Sequence, residues 1–61
     1  MKQWQLDAAR EELLLEIQTL LVGIEDITDT GELLRITKEL SVNLEHATKN
    51  GWVYSAEELN L

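Results

Sequence analysis

The fold is decided by the stretch Leu6–Ile27, which reads LDAAREELLLEIQTLLVGIEDI. Apolar residues recur in it at spacings of three, four and seven, the pattern of an amphipathic α-helix that buries one face. The heptad positions are Leu6, Leu13, Leu20 and Ile27, with Ile17 and Ile24 between them. Further leucines lie beside these positions, at Leu14 and Leu21. The apolar surface is therefore wider than one neighbouring helix covers, and it predicts neighbours on two sides.

A second helix is predicted after a short connection at residues 28–31 (TDTG), which combines capping side chains with a glycine. Asp29 and Glu32 have the spacing of a capping box at the start of this helix. Apolar residues then recur at spacings of three and four as far as the dipeptide Asn50-Gly51, where Gly51 is expected to be a left-handed cap. We expect helix one over about residues 7–27, helix two over about residues 32–49, and a tail over residues 50–61.

Three further contacts are expected near the ends of these elements. Asp7 is predicted to cap the first helix and to pair with Arg10, three residues on. Trp52 is expected to pack back onto the end of the second helix. In the tail, Ser55 and Glu58 have the spacing of a second capping box. This box predicts a short C-terminal helical turn.

The size of the chain favours association. It has 61 residues, 44% of them hydrophobic, and no cysteine, so no disulfide can stabilise it. Cores of chains this small rarely supply more than about 3–5 kcal/mol without a disulfide, a metal or a partner chain. The short connection predicts an antiparallel hairpin, in which the seam of the first helix is buried against Leu33, Ile36, Leu40 and Leu44 of the second. This seam leaves out two apolar residues on each arm: Leu15, Val22, Leu34 and Val42. We therefore expect one all-α domain, residues 1–61, that pairs as a homodimer into a four-helix bundle.

The net charge of the chain limits the classes of partner that we expect it to bind. Twelve Asp and Glu against five Lys and Arg give a formal net charge of −7. This charge repels the phosphates of nucleic acids and anionic lipids, so neither nucleic acid nor a membrane is expected as a partner. The sequence has no apolar run that approaches the roughly 20 residues of a membrane span and no apolar stretch of signal-peptide length at its N-terminus. A cytoplasmic location is expected.

The residues of the chain do not indicate catalysis. His46 is the single histidine, and no Glu-x-x-His pair of the kind that builds metal sites in helical bundles is present. A lone histidine near a helix C-terminus is typical of a residue stabilised by the helix dipole. The three glycines are isolated, so they do not form a phosphate-binding loop. We expect no enzymatic activity, no metal and no cofactor.

The three aromatic residues, Trp4, Trp52 and Tyr54, all lie near the ends of the chain. Tryptophan and tyrosine are enriched in the energetic centres of protein interfaces, so these residues could anchor a partner. Alternatively, they close the open end of the hairpin, where the start of helix one meets the end of helix two. The sequence favours the second interpretation.

One segment of the second helix, Leu33–Ser41, resembles a known family. It is similar to the S-Q-E-L-D signature of the Spo0E-like aspartyl-phosphate phosphatases, small helical hairpins that remove phosphate from response regulators. Glu39 and Leu40 match this signature, and Thr37 is a conservative replacement of its serine. Lys38 and Ser41 stand where the family has the Gln and Asp that carry its activity. The resemblance implies a hairpin fold, with phosphatase activity as one alternative function.

The function that the sequence favours is a small acidic, non-enzymatic regulatory or adaptor module that binds protein through helix–helix contacts. An acidic inhibitor, either an antitoxin or a nucleic-acid mimic, is an alternative that the net charge permits. The surface expected to bind a partner protein combines the apolar residues outside the seam with one lysine. Its residues are Leu15, Val22, Leu34, Lys38 and Val42.

Overall fold

The computed structural model describes residues 2–61 and contains two helices, α1 (Gln3–Glu25) and α2 (Thr30–Lys49). The connection between them is short, and the two helices pack against each other along their length. This confirms the predicted all-α helical hairpin. Both helices begin earlier than the sequence predicted, and α1 ends at Glu25 rather than at Ile27.

The prediction that Asp7 caps the first helix is wrong. The helix begins at Gln3, because the side-chain oxygen of Gln5 accepts a hydrogen bond from the backbone N–H of Lys2 at 3.0 Å. This is one of the two bonds of a capping box, and the lysine side chain has no acceptor for the other. Asp7 lies inside the helix, where its carboxylate accepts a hydrogen bond from Gln3 Nε2 at 3.0 Å.

The start of α2 is capped by Asp29, as the sequence predicted. Its carboxylate accepts a 3.0 Å hydrogen bond from the backbone N–H of Glu32. The Glu32 carboxylate does not complete the box and lies 3.4 Å from Arg35 Nη2 instead. Gly31 belongs to the first turn of this helix, and a Cβ at that position would lie 3.2 Å from the capping oxygen Asp29 Oδ2. The glycine therefore leaves room for the cap.

The end of α2 forms a Schellman motif, and the left-handed cap predicted at Gly51 is confirmed. Gly51 has φ 74°. The N–H of Trp52 donates to the carbonyl of Ala47 at 2.9 Å, and the N–H of Gly51 donates to the carbonyl of Thr48 at 3.0 Å. These two bonds satisfy carbonyl groups that have no partner within the helix. The cap turns the chain back toward α1.

The tail, residues 50–61, runs back along α1. The Gln18 side chain donates to the backbone carbonyl of Glu58. Ser55 and Glu58 exchange both bonds of a capping box, at 3.1 and 3.2 Å. Residues 56–60 form turns that end at Asn60, which has φ 60°, a conformation that asparagine tolerates better than most residues. A helical turn at these residues stays a prediction.

The hairpin and its tail form a thin slab of 42 × 20 × 14 Å. The radius of gyration is 12.7 Å, against about 10.5 Å for a compact domain of this length. Within residues 2–61 only Ile17 and Ala47 are buried, with 0% and 3% of their surface exposed. Leu33 and Leu44 were expected on the buried seam but are 39% and 41% exposed. Two helices side by side are too thin to enclose more.

Candidate protein-binding groove

A groove with a volume of about 700 Å³ lies between α1 and α2. It lies on the side of α1 away from tail residues 53–58, because Arg10 contacts Val53 and Glu58 and Gln18 contacts Glu58, whereas Glu12 and Glu16 line the groove. Helix residues two positions apart point about 200° apart, on opposite sides of the helix. The floor and sides include Leu15, Thr19, Leu20, Lys38, Val42 and Asn43. We call this site the interhelical groove.

The structure brings three of the five predicted binding residues together. Leu15, Lys38 and Val42 line the interhelical groove, where Leu15 is 62% and Val42 is 42% exposed. Val22 and Leu34 are 61% and 66% exposed but do not line it. The apolar surface that the sequence identified is therefore split into a concave part between the helices and isolated residues beside it.

The groove continues toward the open end of the hairpin. A second cavity of about 250 Å³ shares Glu12 and Glu16 with the first and is lined further by Ala9, His46 and Trp52, among others. His46, the single histidine, lies exposed at this end of the groove. On α1 the two cavities together extend from residue 9 to residue 20, which is about 17 Å of helix. A segment of about three helical turns fits this length.

The two walls of the groove carry different charge. The α1 helix has five carboxylates and one cation, Arg10, whereas α2 has three of each. Glu12 and Glu16 on the α1 wall form no ion pair with any residue of the described chain, 2–61. On the α2 wall Glu39 pairs with Arg35 at 3.0 Å. One wall is therefore acidic and the other is close to neutral.

On the opposite side of α1, Arg10 holds the tail. Its guanidinium forms an ion pair with Glu58, with contacts of 3.1 and 3.3 Å, and donates to the carbonyl of Val53 at 2.8 Å. The predicted pairing of Arg10 with Asp7 is therefore wrong, because the tail offers a carboxylate and a carbonyl at the same point. The hydrogen bond from Arg10, together with the backbone N–H of Ser55, lowers the pKa of the Glu58 carboxyl.

Tyr54 completes this attachment. Its hydroxyl donates a hydrogen bond of 2.8 Å to the backbone carbonyl of Arg10. The guanidinium of Arg10 lies 4.6 Å from the centre of the tyrosine ring, a cation–π contact. Burial raises the pKa of the Tyr54 hydroxyl. We call Arg10, Tyr54 and Glu58 the tail clamp.

The three aromatic residues differ in location and in exposure. Tyr54 is half-buried in the tail clamp, and Trp52 is half-buried at the open end of the hairpin. Both positions agree with the interpretation that aromatic side chains close this end. Trp4 is 65% exposed and has no such role in the structure.

The described residues, 2–61, contain no cluster of three His, Cys, Asp or Glu side chains placed to hold a metal ion. Neither α1 nor α2 combines the length and apolar content that a membrane crossing requires.

In the segment that resembles the phosphatase signature, the Thr37 hydroxyl donates to the Leu33 carbonyl at 2.7 Å and Glu39 pairs with Arg35. Both side chains are thus engaged within their own helix.

Comparison with known proteins identifies no relative: no family model, no curated protein and no solved structure matches the chain.

Proposed function

We propose that this chain is a non-enzymatic regulatory or adaptor module that binds protein through helix–helix contacts in the interhelical groove. The observation that carries the proposal is the exposure of apolar side chains in a concave site. Leu15 is 62% exposed at the groove while the described chain buries only two residues. Exposed apolar surface in a concave site is typical of a binding surface.

The surface area of the chain supports a partner. The chain exposes 4749 Å², whereas a compact protein of its mass, 7.0 kDa, exposes about 4,000 Å². The surplus of roughly 700 Å² is close to the ~800 Å² that each partner gives up at a standard protein interface. A partner that covers the groove would bring the exposed area to that of a compact protein.

The first partner that we propose is a second copy of the chain, which gives the dimeric four-helix bundle. Exposed apolar residues occur on both arms, so two hairpins can cover each other with the same surface. The distribution of charge favours one arrangement. A twofold axis that lays α1 of one copy over α2 of the other separates the acidic α1 helices, whereas stacking α1 on α1 places like charges together.

The experiment that tests this function compares two double variants. L15S with V42S removes apolar surface from the groove, and V22S with L34S removes two exposed apolar residues outside it. Sedimentation equilibrium gives the dissociation constant of the dimer for each. We expect at least tenfold weaker association for the groove variant, a loss of about 1.4 kcal/mol, and a smaller change for the control. Equal effects of the two variants would contradict the role of the groove.

A further inference from the structure

The carboxylates of the acidic wall of the interhelical groove form no ion pair within residues 2–61. Glu12 and Glu16 are exposed, one helical turn apart, and neither pairs with a cation of residues 2–61. The single cation of α1, Arg10, points to the opposite side and holds the tail. Apolar residues lie directly beside these carboxylates, at Leu15 and Leu20. The groove thus offers an apolar floor with two unpaired carboxylates along its α1 edge, and Lys38 is the one cation among its lining residues.

We propose that the partner bound in this groove is a basic amphipathic helix of another protein, an inference that rests on the proposed function. Its apolar face would lie on Leu15, Leu20 and Val42, and its lysines or arginines would pair with Glu12 and Glu16. These two carboxylates are about 6 Å apart along the helix axis, so basic residues one turn apart on the partner match them. The length of the groove accepts about three turns of such a helix.

The electrostatic interaction with the chain distinguishes a basic helix from a second copy as the partner. Each chain carries −7, so two copies repel each other while a basic helix is attracted. Salt screens both effects, and it therefore acts on the two complexes in opposite directions. Self-association strengthens as salt rises, and binding of the basic helix weakens. At low salt the basic helix displaces the second copy from the groove.

The test uses three synthetic helical peptides of about 18 residues, long enough to exceed the groove. All three have the same leucine face, and their polar positions are all Lys, all Gln or all Glu. Binding of each labelled peptide to the full chain is followed by fluorescence anisotropy at about 50 mM and about 500 mM NaCl. We expect the Lys peptide to bind at least tenfold more tightly than the Gln peptide at low salt, and to lose most of this advantage at high salt. The Glu peptide should bind most weakly.

A pair of variants with equal net charge locates the site. E12Q with E16Q removes the acidic wall, and E25Q with E57Q removes two exposed carboxylates elsewhere. The first pair should weaken binding of the Lys peptide about tenfold, and the control pair should change it less than about twofold. An equal loss in both pairs would show attraction to total charge and would overturn the assignment of the groove.

The outcomes separate this inference from the proposed function. If the Gln and Lys peptides bind equally tightly and L15S weakens both, the groove binds helices without preference for charge. The inference is then wrong and the proposed function stands. If none of the three peptides binds and the dimer is unaffected by L15S, the proposed function fails as well. Tight binding of the Lys peptide that L15S leaves unchanged would also overturn the inference, because the apolar floor would have no part in it.

Discussion

The hydroxyl of Tyr54 donates a 2.8 Å hydrogen bond to the backbone carbonyl of Arg10, and the guanidinium of Arg10 lies 4.6 Å from the centre of the same tyrosine ring. One tail residue therefore contacts both the main chain and the side chain of one residue of α1. Together with the Arg10–Glu58 ion pair, this contact fixes the tail on one side of α1. The interhelical groove on the other side is left open.

Replacing Tyr54 by phenylalanine tests the tail clamp. The ring and its contact with Arg10 remain, but the hydrogen bond to the α1 carbonyl is lost. We expect a loss of about 0.5–1.5 kcal/mol in the free energy of unfolding, the usual contribution of one hydrogen bond. Urea denaturation measures it, with W4F as the control because Trp4 is 65% exposed. A loss as large in W4F would contradict the clamp.

The tail clamp also predicts a dependence of stability on pH. Arg10 lowers the pKa of Glu58 in the folded chain, so this carboxyl stabilises the fold above its ordinary pKa of about 4.3. That contribution is lost as the pH falls through the lowered folded value. Burial raises the pKa of Tyr54, so its contribution is present below its ordinary pKa of about 10 and is lost as the pH rises through the raised value.

Thermal unfolding between about pH 2 and pH 7 checks the acid limb of this prediction. E58Q should be less stable than the wild-type chain at neutral pH, and the difference should shrink as the pH falls below about 4. E57Q is the matched control, a neighbouring exposed residue outside the clamp, and it should follow the wild-type curve. A constant difference for E58Q at every pH would show that its ionisation does not stabilise the tail.

The two helical glycines should respond differently to alanine. At Gly23 a Cβ would lie 3.7 Å from Ile36 Cδ1, an ordinary contact, so G23A should stabilise the chain by about 0.5–1 kcal/mol. At Gly31 a Cβ would lie 3.2 Å from the capping oxygen of Asp29. In G31A this close contact with the cap should cancel the stabilisation that alanine otherwise gives in a helix. Calorimetric melting temperatures of the two variants measure the contrast, and an equal rise in both would show that the Asp29 cap tolerates the methyl group.

The Schellman cap gives a further prediction. G51V should lower the free energy of unfolding by more than about 1 kcal/mol, because a β-branched residue is strained at φ 74°. Apart from residue 51 and its two chain neighbours, no heavy atom lies within 4 Å of a Cβ at this position, so the cost comes from the backbone and not from a clash. G51N is the control, since asparagine tolerates the left-handed conformation and should cost less. Equal stability of the two variants would remove strain as the explanation.

The sequence predicted the parts of the fold that depend on local patterns. The apolar spacing gave two helices, Asp29 and Gly51 marked the cap at the start and at the end of α2, and the surplus apolar residues proved to be exposed. Each of these features is set by residues within a few positions of one another. The start of α1 was missed because its N-cap residue, Lys2, is not a usual capping residue, and only Gln5, at the third helical position, supplies a side-chain hydrogen bond there.

The tail clamp could not be predicted in the same way, since its partners are 44 and 48 residues apart in the chain. The capping box of Ser55 and Glu58 did indicate an ordered tail, but no local pattern indicates which residue of α1 the tail would contact.

The lining of the interhelical groove was predicted in part. Exposure of Leu15 and Val42 follows from the helical period, whereas the separation of Val22 and Leu34 from them depends on how the two helices pack.

The central claim is that exposed apolar surface at the interhelical groove is covered by another helix, and in the purified protein by a second copy. The mass of the wild-type chain in solution tests it most directly, measured by light scattering during size exclusion at high salt over a range of micromolar concentrations. We predict a mass twice that of the 7.0 kDa chain, falling toward one chain on dilution. A mass of one chain at every concentration, with cooperative unfolding of that monomer, would contradict the account.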